Sequence, residues 1–395
     1  MSTRAKKARS GAVETANRSV ALTKYLRPHL GAMVNVVRDL VLFESPSNNK
    51  HAVDALGEYL ADVFRAAKAR VTMHWSEKFG DHLQADFEGD GGGRVLLLGH
   101  YDTVWDIGTL KSMPVREDKG RLWGPGVLDM KAGIMQMLFA IDALRATRGS
   151  LPRPVTVLLV TDEEVGSESS RKITERIARE CEAVFVLEPS FGPQGALKTA
   201  RKGVGDYTIR VHGKAAHAGL DPTKGANAIL ELSRQLLKVE KFMDLKKGIT
   251  VNPGVIRGGT RTNVVAAEAS CEVDARISAM SQAAALDKKF QGLKAMDRRC
   301  TIEVDGAINR PPLERSEAVA RLFKIAQRVG AELGMKLTEA SVGGGSDGNF
   351  TAALGIPTLD GMGAVGEGAH AVNESVMVDE LVPRTVLLAR MIEEI

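Results

Sequence analysis

The sequence predicts an α/β fold with a mostly parallel sheet covered on both faces, interrupted by a smaller α+β unit. Three observations predict it. The runs "RVLLL", "VTVLLV" and "AVFVL" are nearly continuous in apolar residues, as strands buried on both faces are. Stretches with helical spacing of apolar residues alternate with them. Near Arg201 the character changes to half-exposed alternation, and it reverts after Asn309–Pro312. A chain of 395 residues is also too long for one comfortable core, so two domains are expected.

Taken in order, Ala21 to Phe43 has helical spacing until "SPSNN" breaks it, and His51 to Ala69 reads as a second amphipathic helix. Three strand-like runs follow, "RVTMHW", "LQADFEG" and "RVLLLGH"; "EGDGGG" between the last two suits a hairpin. Met130 to Arg148 is helical, "PVTVLLVTDEE" is a buried strand ending in acids, Ser170 to Glu180 is helical, and "AVFVLEP" is another such strand. From "GDYTIRVHG" onward the order is strand, helix (Asn227 to Lys241), two strands, helix (Gln282 to Ala295) and strand "CTIEVDG". That β-α-β-β-α-β order is that of a ferredoxin-like sandwich. "NRPP" reads as its exit hinge, after which helix–strand alternation resumes. The expected organisation is a discontinuous domain, residues 1–200 and 313–395, with residues 201–312 inserted into it.

Composition narrows the function. The net charge is +4, and part of the excess is the cluster Arg4, Lys6, Lys7 and Arg9, read as a solvated terminus. Only 5% of residues are aromatic, so no nucleic-acid partner is expected. No apolar run reaches membrane-spanning length, and no apolar stretch follows the basic start, so neither a membrane partner nor a secretory signal is expected. Cys181, Cys271 and Cys300 are widely spaced and odd in number, which fits a reducing compartment and a cytoplasmic location.

Five features carry chemistry. His100 and Asp102 end the "RVLLL" strand, and open α/β sheets place functional groups at the carboxyl ends of strands. His100 offers a metal ligand, with Asp102 placed to accept its other ring N–H; a turn histidine beside a capping aspartate is the plainer alternative. Asp129 is central in "GPGVLDMKAG" and also suits a helix N-cap. Asp162, Glu163 and Glu164 repel one another unless a cation relieves them, though a helix N-terminus also favours acids. Glu188 ends an apolar strand, and His370 lies in "GEGAHAVNE". Two histidines with three carboxylates make an N/O donor set suited to Zn²⁺, with Co²⁺ or Mn²⁺ compatible.

With these motifs in order, the chain resembles the M20 metallopeptidases, and within them the glutamate carboxypeptidase (carboxypeptidase G-like) branch. The similarity runs from about Tyr25 to Glu394 through "GHYDTVW", "GPGVLDMKAG", "TDEEVGS", "LEPS" and "GEGAHAVNE", with "KAAHAG", "GGTRTNVV" and "GGGSDGNF" as further matches. The resemblance implies a zinc-peptidase-like catalytic domain and an inserted dimerisation domain. It implies two Zn²⁺ per chain: Asp129 bridges them, His100 and Glu188 complete one site, and Glu164 and His370 complete the other. It makes Glu163 the general base and Asp102 the partner of His100. It assigns His217 to the active site of the partner subunit in a homodimer. Asn263, Arg276, Arg310 and Gly344 would hold the carboxylate end of a small peptide or N-acyl amino acid. The implied reaction is hydrolysis of an amide bond beside a free carboxylate, releasing a C-terminal glutamate or a similar residue. An N-acyl-amino-acid deacylase or dipeptidase is the alternative on the same scaffold, and a non-catalytic metal-binding protein the alternative of another class.

Overall fold

The computed structural model describes residues 18–395, so the basic cluster Arg4 to Arg9 lies outside the described residues. The chain forms two compact units. One comprises the flanking segments of the chain, and the other Ala200–Glu314 together with Val342–Gly345.

The first unit is built on a six-stranded sheet. In spatial order its strands are Arg70–His74, His82–Phe87, Val155–Val160, Arg94–His100, Cys181–Val186 and Thr358–Leu359. The last four run parallel, and the first two are antiparallel additions at one edge. Side chains alternate between the two faces with period two. Val95 and Leu97 enter the larger core with the helices Leu30–Leu42, Lys50–Ala66, Ala132–Arg148 and Val378–Glu394, whereas Leu96 and Leu98 join a smaller core with Ile177 and Ala178. Burial on both faces explains why these strands read as continuous apolar runs.

Two expectations need correction. The "EGDGGG" loop is not a hairpin turn, because Val155–Val160 lies between His82–Phe87 and Arg94–His100 and pairs with both. That strand is buried at every position, and only a central place in the sheet covers both its faces. The first helical stretch is also not continuous. A 3₁₀ turn, Arg27–His29, interrupts it at Pro28, whose ring removes a backbone donor and disfavours the α conformation of the preceding residue.

The second unit is an antiparallel sheet in the order Thr250–Gly258, Glu268–Ile277, Gly203–His212, Thr301–Arg310, with helices Ala228–Val239 and Ala283–Gln291. Tyr207 stacks on Phe290 in its core, ring centroids 3.9 Å apart. Among the described residues, no helix is long and apolar enough to cross a membrane.

Candidate metal centre

The first unit gathers seven of the residues singled out in the sequence. His100 ends its strand. Glu163 follows the neighbouring strand Val155–Val160 on one side, and Glu188 follows Cys181–Val186 on the other. Three adjacent parallel strands thus deliver one imidazole and a set of acids to the same sheet edge. Asp129 comes from the turn before the Ala132–Arg148 helix, where the Asp129–Met130 peptide is cis. Gly126 opens that turn at φ +71°, and a Cβ there would stand 2.7 Å from Thr103 Cγ2.

Asp129 sits between the two histidines. His100 Nε2 is 3.2 Å from its Oδ1, and His370 Nε2 is 3.3 Å from its Oδ2. Each histidine meets a second acid: His100 Nε2 lies 3.4 Å from Glu188 Oε1, and His370 Nε2 lies 3.1 Å from Glu164 Oε1. The residues therefore form two N/O/O sets, each using a different oxygen of one carboxylate. Two ligands on a tetrahedral zinc are roughly 3.3 Å apart, given metal–ligand bonds of about 2.0–2.2 Å. The four histidine–acid separations are near that edge length, and with this N/O chemistry the residues present fit a pair of divalent ions. Glu163 belongs to the same cluster, with a carboxylate oxygen within 4.8 Å of ligand atoms on His100 and Glu188.

Burial makes this crowding costly. Asp102 is wholly buried, and Glu164, Glu188 and Asp129 expose at most 13% of their side chains. Burial pushes the Glu164 carboxyl up, against the pull of His370. It opposes charge on His100 too, but Asp102, Asp129 and Glu188 outweigh it and raise that imidazole's pKa. Hydrogen bonds to Asp129 and Glu164 push His370 up to about 10. The acids thus favour positive charge on both imidazoles, and divalent ions would supply that charge instead.

Asp102 deviates from the simple expectation. His100 Nδ1 is nearer to the Asp102 backbone carbonyl, at 3.0 Å, than to its carboxylate, at 3.4 Å. Both acceptors leave Nε2 facing Asp129. The other Asp102 oxygen accepts from Ser47 Oγ at 2.6 Å and from the Glu164 amide at 3.4 Å.

The remaining predicted residues lie in the second unit. Exposed His217 uses Nδ1 to accept the amides of Gly219 and Leu220, each at 3.2 Å, and neighbouring Ala218 donates to the Asn263 carbonyl at 2.9 Å. Arg276 donates to Gly343 O at 2.9 Å, but its fork is already engaged by Asp274 at 3.0–3.2 Å. Arg310 is buried and packs by Gly345, and Gly344 accepts from Arg201 at 3.2 Å.

Three buried groups beside the centre escaped the sequence reading. Lys131 follows Asp129 by two residues; it donates to Phe43 O at 2.7 Å, and burial pushes its amine down to about 7. Arg384 donates to the carbonyls of Gly195, Gly361 and Gly363, and Gly363 in turn donates to Glu188 O at 2.9 Å. A Cβ at Gly363 would stand 2.6 Å from that oxygen, so the close approach needs glycine. The third is Glu374, which accepts the Asp129 amide at 3.0 Å. An acid so soon after His370, in a motif already selected, was a usable signal; nothing in the sequence distinguishes Arg384 from a surface arginine.

A doubly covered α/β sheet with this cluster at its strand ends is the setting of a candidate metal centre. The chain belongs to peptidase family M20/M25/M40, whose model matches residues 96–394. It is similar to carboxypeptidase G2 of Pseudomonas sp. (strain RS-16), 27% identical over 365 residues that span 91% of this chain and 88% of that protein. It is similar to acetylornithine deacetylase of Myxococcus xanthus, 29% identical over 327 residues, 77% of this chain and 81% of the other. Its fold matches the Bacillus subtilis YXEP protein, described as a dinuclear metal-binding peptidase of family M20. That match has a TM-score of 0.69 and 15% identity over 93% of this chain and 98% of that one.

The shared Asp129 carboxylate makes a direct prediction. Metal analysis of purified Asp129→Ala should show strong loss at both sites, because one side chain would serve both. Two full equivalents in that variant would refute the bridge.

Proposed function

We propose that the chain is a two-zinc amidohydrolase acting on a peptide or N-acyl amide bond beside a free carboxylate. The observation that carries this reading is the pair of N/O/O sets meeting at Asp129, each with histidine–acid distances near a tetrahedral edge. An all-N/O donor set favours zinc, with cobalt or manganese compatible. When bound, such ions polarise a scissile carbonyl and lower the pKa of a water held between them towards roughly 7. Glu163 takes the proton from the attacking water and delivers it to the departing amine nitrogen, which leaves as a neutral amine. Asp102 keeps His100 oriented through Nδ1. His217 donates to the oxygen that gains negative charge as the carbonyl is attacked. Arg310, with Arg276, Asn263 and Gly344, holds the substrate's carboxylate end; a guanidinium suits that task because its planar fork grips two oxygens at once.

Similarity to carboxypeptidase G2 supports release of a C-terminal glutamate or similar residue. Similarity to acetylornithine deacetylase favours a second reading, an N-acyl-amino-acid deacylase. Both cleave an amide beside a carboxylate, so the metal chemistry is common and the pocket decides. A panel of acyl-glutamates, dipeptides and N-acetyl amino acids, assayed with zinc, separates them. The first reading expects the highest kcat/KM on acyl-glutamates; faster turnover of N-acetyl amino acids would transfer the assignment to the second. Chelation should abolish turnover in either case, and zinc should restore it.

Glu163→Gln is nearly isosteric and should retain both metals. Since proton transfer alone contributes about 10²–10⁴ in rate, turnover should fall by at least that range. Activity within tenfold of the unaltered enzyme would place the base elsewhere.

The reading includes a cytoplasmic homodimer formed through the inserted unit. Its Ala228–Val239 helix exposes Leu230 and Leu237, and its edge strand exposes Val255 and Ile256, apolar surface that a twofold partner would bury. If His217 serves the partner's site, a mixed dimer shows it. One chain carries His217→Ala and the other Glu163→Gln, each nearly inactive as its own homodimer. The heterodimer should regain about half the normal activity, because one composite site keeps both groups. A verified heterodimer without recovery would confine His217 to its own chain or remove it from the chemistry.

A further inference from the structure

Glu374 is fully buried and stands four residues after His370. Its Oε1 accepts the backbone amides of Leu128 at 2.9 Å and Asp129 at 3.0 Å. Its Oε2 accepts the Gly126 amide at 2.9 Å and the Trp105 indole N–H at 2.8 Å. Four N–H donors fill the lone-pair sites of a carboxylate, which is what lets a buried acid persist without a cation. Their distribution is the informative part. Three belong to the turn that ends in Asp129. The fourth comes from the segment just after His100, and the acceptor rides on the His370 segment. One side chain therefore joins three separate segments that each contribute to the cluster.

The turn needs such an anchor. It starts at the left-handed Gly126, and Asp129 and Met130 have non-helical backbone angles, so regular i→i−4 bonds do not fix it. Without Glu374 the Asp129 amide loses this bond, and the backbone from which its carboxylate projects is less firmly placed. The plane of that carboxylate is what sends Oδ1 to His100 and Oδ2 to His370.

We propose that Glu374 is a positioning residue that fixes Asp129 against His370 and thereby sets metal affinity at both sites. The proposal rests on the bridging role of Asp129 given above. Orienting partners of this kind typically contribute 10–100-fold to metal affinity or activity.

The test is zinc binding by the full-length chain, stripped of metal and titrated in competition with a chromophoric chelator. Glu374→Gln keeps the length but presents an NH₂ to two of the four donors. It should bind zinc about 10–100-fold more weakly, and at saturating zinc kcat should fall with KM little changed. Glu231→Gln is a matched control. Glu231 is also fully buried and accepts two backbone amides, from Met296 at 2.8 Å and Asp297 at 3.1 Å, in the inserted unit. It should lower the unfolding midpoint and leave zinc affinity within about twofold of the unaltered chain, well inside the range expected of an orienting partner. A merely structural Glu374 would behave like Glu231, and unchanged zinc affinity in Glu374→Gln would overturn the proposal. Should that variant fail to fold, Trp105→Phe decides. It removes one donor of four and must weaken zinc binding in the same direction; no change would overturn the proposal equally. If Asp129→Ala keeps both metals, the bridge itself is wrong. If it loses them while Glu374→Gln does not, only the positioning role is.

Discussion

Crowding of buried acids around Asp129 is the constraint on which the rest of this structure depends. Glu164 groups with Asp129 and His100, Glu163 and Glu188 group with the same His100, and most of these acids are shielded from the screening that water would give. Such a cluster persists only with compensating charge. The groups around it are held mainly by backbone: the Glu188 carbonyl by the Gly363 amide and the His100 ring by a carbonyl, while the Asp129 amide is held by the Glu374 carboxylate. Arg384, the nearby buried cation, is spent entirely on carbonyls of the supporting loops, and burial pushes it down to about 10. Positive charge at the cluster itself would have to come from the imidazoles or from bound cations.

The sheet supplies the precision this needs. His100 pairs in register with Val160, two residues before Asp162, and Leu98 pairs with Val186, two residues before Glu188. Parallel neighbours locked by several backbone bonds fix where their carboxyl ends stop. Side chains one or two residues beyond those ends inherit that placement. Asp129 and His370 come from turns instead, and the turns are the parts that carry positive-φ residues, Gly126 at +71° and His370 itself at +62°.

Much of this was legible in the sequence, for identifiable reasons. The parallel strands announce themselves because burial on both faces demands continuous apolar runs, and an acid or histidine closing such a run is conspicuous. The ferredoxin-like order could be read from the change to alternating burial at Gly203–His212. Strand neighbours could not. "EGDGGG" has hairpin chemistry, yet Val155–Val160 takes the place between its flanking strands, and that choice depends on tertiary burial that no local window contains. The supporting groups were hidden for a related reason. Arg384 and Lys131 bond to carbonyls far away in sequence, and a carbonyl has no residue identity to read. Arg276 illustrates the same limit: nothing in its residue type told that its fork meets Asp274 two residues away on the same strand.

The triplet Asp162–Glu163–Glu164 shows how backbone form turns one repeated chemistry into three roles. Asp162 is wholly buried, and its Oδ2 accepts the Ser169 amide at 2.6 Å and the Ser169 hydroxyl at 2.8 Å, closing the loop behind the cluster. Glu163 begins a 3₁₀ turn, Glu163–Val165, and Glu164 is the next residue in it. Successive side chains on such a turn diverge by about 120°, since it has about three residues per turn. Glu164 can therefore meet His370 while Glu163 is directed elsewhere in the cluster, beside His100 and Glu188. Had the strand simply continued, Asp162 and Glu164 would have shared one face and Glu163 the other. Two acids would then have competed for a single position, with the third directed away. Breaking the strand after Val160 and tightening the chain into a 3₁₀ turn is what lets adjacent glutamates face different parts of the cluster.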